Sequence, residues 1–529
     1  MIIIQNATYI HPNKDILFQE INLTIADQEK IALIGNNGSG KSTLLKVIAG
    51  QLQLNNGTVS CDSIPYYIPQ MLDEYKDLTI AAALGIEEKL RAFKEILLGN
   101  MTEHNLDLLN DDWSIEDRCQ NALSEWKLTD ISLDHKIGEL SGGQKTKVFL
   151  AGITIQEPQI ILMDEPSNHL DHESRELLYQ FIKDCRKTLL VVSHDRTLLN
   201  LIPEIAEMTK QGIVKYGGNY EFFAEQKEQA MNALDHDVKS KEKELRKARE
   251  KEKEALERQN KLNARGKKKQ EKAGIPKILM GGLKNKAEGS SGKLKTVHEE
   301  KISGIRMTLQ DLRTNLLEID QMKFGFEESS LHIGKTLAEA KEVNLKINGR
   351  NLWHQNLNFK IKSGDRIALK GTNGSGKTSL INLIIGNRQP TSGEISQANF
   401  NYVYVDQDYS LIKTEMKVYD MAQSFNHSGL QEHEIKIRLN RFLFSKDTWD
   451  KSCLFLSGGE RMRLLLCCLN IQSQAPDMII LDEPTNNIDI QNIQILTAAI
   501  QSYHGCLIVV SHDQYFMNEI NIQETIQLG

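Results

Sequence analysis

No stretch of this chain is apolar for the ~18 residues that would cross a bilayer. Apolar runs such as Ile160 to Met163 and Leu189 to Val192 stop far short, so any membrane role would need a partner. None of the cysteines at 61, 119, 185, 453, 467, 468 and 506 forms a CxxC pair, which argues against a zinc ribbon or a disulfide framework and reads as reduced thiols in or near cores. The start, Met1-Ile2-Ile3-Ile4-Gln5-Asn6, lacks the cationic segment and cleavage-type end of a secretion signal, so a cytoplasmic protein is expected. No helix-turn-helix or zinc module for reading duplex DNA is visible. What is present is ordinary in bulk: 529 residues, 40% hydrophobic and 26% charged, enough for two to four domains and unlike either a disordered or a fibrous chain.

Charge is unevenly spread. The chain carries a formal −7, yet Lys239 to Lys295 holds 20 basic against 8 acidic residues, a surplus of about +12 that leaves about −19 elsewhere. A basic insertion that meets a polyanion, in an otherwise acidic protein, fits this asymmetry.

The sequence repeats itself. Gly35-Asn36-Asn37-Gly38-Ser39-Gly40-Lys41-Ser42, followed by Thr43, returns 336 residues later as Gly371-Thr372-Asn373-Gly374-Ser375-Gly376-Lys377-Thr378, followed by Ser379. Three further pairs keep the order: Leu140-Ser141-Gly142-Gly143-Gln144 with Leu456-Ser457-Gly458-Gly459-Glu460, the runs ending Asp164-Glu165 and Asp482-Glu483, and Val192-Ser193-His194-Asp195 with Val510-Ser511-His512-Asp513. Two α/β domains follow, expected at 1–222 and 338–529, each a mostly parallel sheet with helices.

The chemistry follows from the residue types. Glycines let backbone N–H groups turn around phosphate oxygens at a helix N-terminus, and Lys41 and Lys377 compensate the charge. Ser42 and Thr378 offer a hydroxyl to Mg²⁺, which the strand-ending Asp164 and Asp482 hold through its water shell. Glu165 and Glu483 stand where a carboxylate can polarise a water for in-line attack on a γ-phosphate, and His194 and His512, 29 residues later in each copy, complete that group. One nucleotide needs only one P-loop. The Ser-Gly-Gly runs therefore read as the second half of a composite site, the serine, glycine amides and helix N-terminus of one cassette closing on the γ-phosphate held by the other.

With these motifs the chain resembles the ATP-binding cassette superfamily over both cassettes. The resemblance implies closing of the cassettes by ATP and opening by hydrolysis, with Gln70 and Gln407 matching the positions that sense Mg²⁺. It implies contacts to nucleotide from the whole runs Gly35 to Thr43, Gly371 to Ser379, Ser141 to Gln144 and Ser457 to Glu460. Tyr9 lies 26 residues before the first P-loop, where the family stacks an aromatic on adenine; the constant offset puts Leu345 in the second copy, so a looser hold on the base is expected there. The loops Ser167-Asn168-His169-Leu170-Asp171 and Thr485-Asn486-Asn487-Ile488-Asp489 differ, and unequal turnover of the two sites is expected.

Between the cassettes, expected at 223–337, apolar residues recur at Leu234, Val238, Leu245, Ala248, Ala255 and Leu262, then at Ile302, Ile305, Leu309, Leu312, Leu316 and Ile319. Two helices that return the chain to its starting side pack antiparallel, the first about 40 residues or ~60 Å long. The tip, about 263–297, carries Arg265, Lys267, Lys268, Lys269, Lys272, Lys277, Lys284 and Lys286 around the apolar Ile275, Pro276, Ile278, Leu279, Met280 and Leu283. Lysine-rich tips suit a phosphate backbone, and structured RNA is the expected polyanion. Tandem cassettes with such a hairpin and no membrane part resemble the ABC-F family of ribosome-acting ATPases, a fit that extends to Tyr216-Gly217-Gly218-Asn219-Tyr220. That resemblance implies ATP and Mg²⁺ as cofactors, and binding of the ATP form to the ribosome at the tRNA exit site, with the hairpin tip toward peptidyl-site tRNA or the peptidyl-transferase centre. It implies translation modulation or antibiotic protection as the output, and an arm around 87–115 that meets the exit-site side. A monomer would suffice, since the fused cassettes supply both sites. The alternative is the motor pair of an ABC transporter with separate membrane subunits, for which the basic hairpin has no use.

Overall fold

Short, wholly apolar runs bounded by polar residues form strands covered on both faces, and the chain uses them in parallel sheets. The computed structural model describes residues 1–209, 212–272, 296, 300–310, 312, 332, 334–347, 349–372, 374–472, 474–486 and 488–528, with backbone alone at 259, 263 and 266–272. In the first cassette, β3 (Lys30–Ile34), β5 (Tyr66–Ile68), β6 (Ile160–Asp164), β7 (Thr188–Val192), β8 (Glu204–Thr209) and β9 (Gly212–Tyr216) make a sheet in the order β5-β6-β7-β3-β8-β9. All its pairs are parallel except β8 with β9. A second, antiparallel sheet, β2-β1-β4, comes from β1 (Ile2–Ile10), β2 (Ile16–Ile25) and β4 (Asn56–Cys61). Ile2, Ile4, Ile21 and Ile25 of the small sheet bury against Ile31 and Leu33 of the large one and Leu44 and Leu45 of α1 (Lys41–Ile48).

The helical side holds α2 (Ile80–Ala83), α3 (Glu87–Leu97), α4 (Glu103–Leu109), α5 (Ile115–Glu125) and α6 (Gly142–Gln156), and the rest of the cassette adds α7 (His172–Asp184) and α8 (Arg196–Asn200). The stretch 87–115, expected as an arm, holds the helix pair α3 and α4. Leu90, Ala92, Ile96 and Leu109 are buried, and Asp112 binds Lys89 (2.8 Å) and Arg118 (2.5 Å). Leu97, Leu98 and Met101 stay exposed.

From Tyr220 one helix, α9 (Tyr220–Lys272), runs for 53 residues, about 80 Å. It is longer than expected because it carries on past Leu262, the last of the recurring apolar positions, into the basic stretch. A second helix, α10, covers 300–310. Val238 of α9 and Ile302, Ile305 and Leu309 of α10 are buried, and the Lys301 charge acts on Glu244, so the start of α10 lies near the middle of α9. Leu316 and Ile319 lie outside the described residues, as do Lys277, Lys284 and Lys286; Lys267, Lys268, Lys269 and Lys272 lie on α9 with backbone alone described, and Arg265 is exposed.

The second cassette repeats the plan. β13-β10-β15 is the antiparallel sheet, from β10 (Thr336–Asn344), β13 (Leu357–Lys362) and β15 (Ser392–Gln397), and β11 (Lys346–Ile347) pairs with β12 (Arg350–Asn351). The parallel sheet runs β16-β17-β18-β14-β19, from β14 (Arg366–Lys370), β16 (Tyr402–Val405), β17 (Met478–Asp482), β18 (Cys506–Val510) and β19 (Glu524–Gln527). Its helices are α11 (Lys377–Ile384), α12 (Val418–Ser424), α13 (Glu432–Arg441), α14 (Gly458–Ile471), α15 (Ile490–Gln501) and α16 (Gln514–Glu519). The chain divides into two compact units: Met1–Glu221 with Gln321–Gly529, which contains both cassettes, and Phe222–Asp320. Among the described residues no helix is long and apolar enough to cross a membrane, and all seven cysteines are free thiols.

Candidate active site

In each cassette a buried strand ends in a glycine-rich turn that opens a helix. Gly40 and Gly376, the N-cap residues of α1 and α11, are left-handed at φ 99° and 91°, and a Cβ there would strike Phe18 or Leu352 at 2.8 and 2.6 Å. Only glycine fits, because the turn is packed against the residues beneath it. Lys41 Nζ donates to the carbonyls of Gly35 (2.7 Å) and Asn36 (3.1 Å), and Lys377 Nζ to those of Gly371 (2.9 Å) and Thr372 (3.1 Å). Each loop thus holds its cation at the helix N-terminus, where an anion binds best.

Glu165 and Glu483 follow their strands in the left-handed region, at φ 51° and 50°, and each N–H bonds the carbonyl ending the neighbouring strand, Val192 or Val510, at 2.8 Å. That kink aims the carboxylate across the strand ends toward the histidine: His194 Nε2 lies 3.4 Å from Glu165 Oε1, and His512 Nε2 3.4 Å from Glu483 Oε1. Burial, reinforced by the Asp164 carboxylate, pushes Glu165 up to about 8. Burial pushes Glu483 up to about 7 although the Arg175 charge opposes it. Burial likewise drives His194 down to about 3 and His512 down to about 4, so both imidazoles are neutral. A carboxyl group near neutrality beside a neutral imidazole suits a proton acceptor.

The cassettes meet at the first of these centres. Asp489, N-cap of α15, accepts the Asn37 N–H at 3.0 Å. Ser457 of the second cassette lines a cavity of about 430 Å³ together with Lys41, Ser42, Gln70, Asp164, Glu165 and His194 of the first. The serine from one cassette and the P-loop from the other thus share one cavity. The second centre is more open: Lys41 is 6% exposed, whereas Lys377 is half-buried and Thr378 exposed. It also differs in charge. Arg175 acts across the interface on Glu483 and His512, while the matching position of α15 is the buried Ile493.

Several expected residues do other work. Tyr9 is not on the cavity wall; it packs into the core with its ring 5.9 Å from that of Phe18 and edge-on to His11 (5.7 Å), and His11 and Leu17 face the cavity instead. The chain turns between β1 and β2 after position 10, which carries residue 11 outward. In the second copy Leu345 is core, 1% exposed. Gln144 and Glu460 close capping boxes, their carbonyl or carboxylate oxygens accepting the N–H of Ser141 (2.9 Å) and Ser457 (2.8 Å). Their side chains start the helices α6 and α14. Gly143 and Gly459 lie within the first turns of those helices. Thr43 lines the cavity and Ser379 sits on α11, while Asn373 lies outside the described residues. Gln407 is exposed at the end of the second parallel sheet.

Two tyrosines that the motifs do not mark bond the strand-ending aspartates. Tyr67 Oη donates to Asp164 Oδ2 at 3.4 Å, and Tyr404 Oη to Asp482 Oδ2 at 2.9 Å. The signal was in the repeat, since each tyrosine stands three residues before Gln70 or Gln407.

The residues fit a magnesium nucleotide. Ser39 Oγ, Ser375 Oγ, Asp164 Oδ1, Glu165 Oε1 and Glu483 Oε2 are buried without a hydrogen-bond partner, a costly state that phosphate oxygens, a hydrated cation or a water would relieve. Among the described residues no group of three or more His, Cys, Asp or Glu could cage a metal by itself. An ion here would take one carboxylate and one hydroxyl from the chain, as Mg²⁺ bound to phosphates does.

Residues 18–168 and 354–486 match the ABC transporter family. The chain is 30% identical to the ATP-binding protein Uup of Haemophilus influenzae, over 95% of this chain and 75% of that one. It is 28% identical to the uncharacterized ABC transporter ATP-binding protein YfmR of Bacillus subtilis (95% and 77%) and 28% to ABC transporter F family member 5 of Arabidopsis thaliana (95% and 72%). Among solved structures it is similar to an archaeal ribosome recycling factor, aABCE1, crystallised with the ribosomal stalk protein aP1, with a TM-score of 0.58, 18% identity and coverage of 97% of this chain and 86% of that one. This last likeness shows the fold.

Proposed function

Because the chain belongs to the ABC transporter family and within it to the ABC-F group, and is therefore an ATPase of two cassettes, we propose that it is an ATP-driven switch that acts on the ribosome. Its parts are a first cassette at 1–222, a basic hairpin at 223–337 and a second cassette at 338–529. ATP and Mg²⁺ bind at Lys41, Ser42 and Asp164 with Ser457 opposite, and at Lys377, Thr378 and Asp482 with Ser141 opposite. The cation, when bound, neutralises charge on the β- and γ-phosphates. Glu165 and Glu483 take the proton of the attacking water, and His194 and His512 hold that water's neighbourhood in register.

The observation that carries the reading is the shared cavity of Lys41 and Ser457, because a site built from two cassettes closes only when they meet. The basic surplus of the hairpin supports RNA as the target, and the fold neighbour aABCE1 is by its description a ribosome recycling factor. On this reading Arg265 and the lysines beyond it approach RNA phosphates near the exit-site and peptidyl-site tRNA, modulating translation or protecting it from antibiotics. Chemical probing of ribosomal RNA with the ATP-bound protein tests the placement: protection at those tRNA sites is expected, and an unchanged pattern there would reject it.

A further inference from the structure

The long helix α9 starts on a joint made by both cassettes. Asn200, last residue of α8, Tyr515 of α16 and Glu221, second residue of α9, form a closed ring of hydrogen bonds. Asn200 Nδ2 donates to Tyr515 Oη (2.5 Å), Tyr515 Oη to Glu221 Oε1 (3.1 Å), and the Glu221 N–H to Asn200 Oδ1 (2.9 Å). Beside it Arg196, first residue of α8 and 4% exposed, reaches across the interface to Glu519 of α16 (2.7 Å).

Both helices in this joint are capped by the residue that follows a histidine of an ATP site. Asp195 follows His194 and caps α8 through Thr197 N–H (3.0 Å), while its other oxygen accepts Tyr179 Oη (2.6 Å). Asp513 follows His512 and caps α16 through Phe516 N–H (2.9 Å). A shift of His194 on binding or loss of the γ-phosphate would displace the short helix α8, whose last residue, Asn200, holds Glu221. A shift of His512 would displace the start of α16, whose second residue, Tyr515, bonds Glu221. The joint is also incompletely bonded: Arg196 Nε and Nη2 are buried with no hydrogen-bond partner, while Asp513, Glu519 and Tyr220 surround the guanidinium. A buried guanidinium that uses one donor has strong reason to bond differently in another arrangement of the cassettes. Its counterpart in the second cassette is Gln514, so the charged contact runs one way only.

We propose that the Arg196–Glu519 pair and the Asn200–Tyr515–Glu221 ring transmit the nucleotide state of both ATP sites to α9. This deepens the reading above and rests on it, since that reading has ATP govern the hairpin. The coupling requires an element with two arrangements that both sites bias, and α8 packed on α16 is that element.

Hydrogen exchange on the full-length Glu165→Gln, Glu483→Gln protein, with and without ATP, tests it. In the parent, ATP should slow exchange at the P-loops and at 218–226. Tyr515→Phe and Asn200→Ala should keep the ATP effect at the P-loops and lose it at 218–226. Arg196→Glu and Glu519→Arg should each lose it, and the double variant should regain it, an outcome that a generally damaged interface would not give. An undiminished ATP effect at 218–226 in Tyr515→Phe and Asn200→Ala would overturn the proposal alone. A parent with ATP protection at its P-loops and none at 218–226 would overturn it together with the reading that ATP governs the hairpin.

Discussion

Asp489 of the second cassette accepts the backbone N–H of Asn37, inside the P-loop of the first, at 3.0 Å. The same carboxylate caps α15 through its other oxygen, which accepts the Asn492 N–H (2.9 Å). One side chain therefore ties helix geometry in one cassette to loop geometry in the other.

Asp489→Asn separates these roles. Asparagine still caps a helix, but its amide nitrogen cannot accept from Asn37. Loss of a hydrogen bond to a charged group costs about 1.5–3 kcal/mol. We expect nucleotide affinity at the first site to fall about tenfold or more while the melting temperature stays near that of the parent; titration in a Lys377→Ala background, which silences the second P-loop, measures it.

Replacing Glu165 or Glu483 by glutamine keeps the shape and removes the base. Turnover in the double variant should fall at least ~10²-fold, within the usual range of general-base effects. Steady-state phosphate release checks this, and a double variant that hydrolyses ATP normally would contradict both assignments.

Tyr67 and Tyr404 orient the aspartates that would hold Mg²⁺. Removing one such hydroxyl loses about 1 kcal/mol of orientation, or about fivefold in a binding constant. Tyr67→Phe with Tyr404→Phe should raise the Mg²⁺ concentration for half-maximal ATPase by about that factor or more, leaving the rate at saturating Mg²⁺ little changed.

His11 rather than Tyr9 faces the first cavity. A ring stacked on a base contributes ~1–3 kcal/mol, so His11→Ala should raise the KM for ATP roughly five- to hundredfold. Tyr9→Leu, which keeps an apolar side chain in the core, should leave KM unchanged, and thermal unfolding alone should register it.

The repeat made the two parallel sheets, both P-loops and both glutamate–histidine pairs legible, because each depends on a local run of residues whose spacing survives duplication, whereas the antiparallel sheet of each cassette was not expected. The ring that lines the first cavity was not legible. Counting 26 residues back from Gly35 reaches Tyr9, but the turn after β1 carries His11 outward, and the count holds no information on where a strand stops. The roles of Gln144 and Glu460 were hidden for a related reason: a polar residue three positions after a serine serves a cap or a ligand with the same letters. The Asn200–Tyr515–Glu221 ring joins residues 315 and 21 positions apart, and no repeat marks it.

The most direct measurement is co-sedimentation of the Glu165→Gln, Glu483→Gln protein with purified ribosomes, with ATP and without nucleotide, over a series of salt concentrations. The account predicts ATP-dependent co-pelleting that weakens with salt, with a shallower salt dependence once Arg265, Lys267, Lys268 and Lys269 are neutralised. Absence of co-pelleting at every salt concentration, in a protein that still binds ATP, would contradict it.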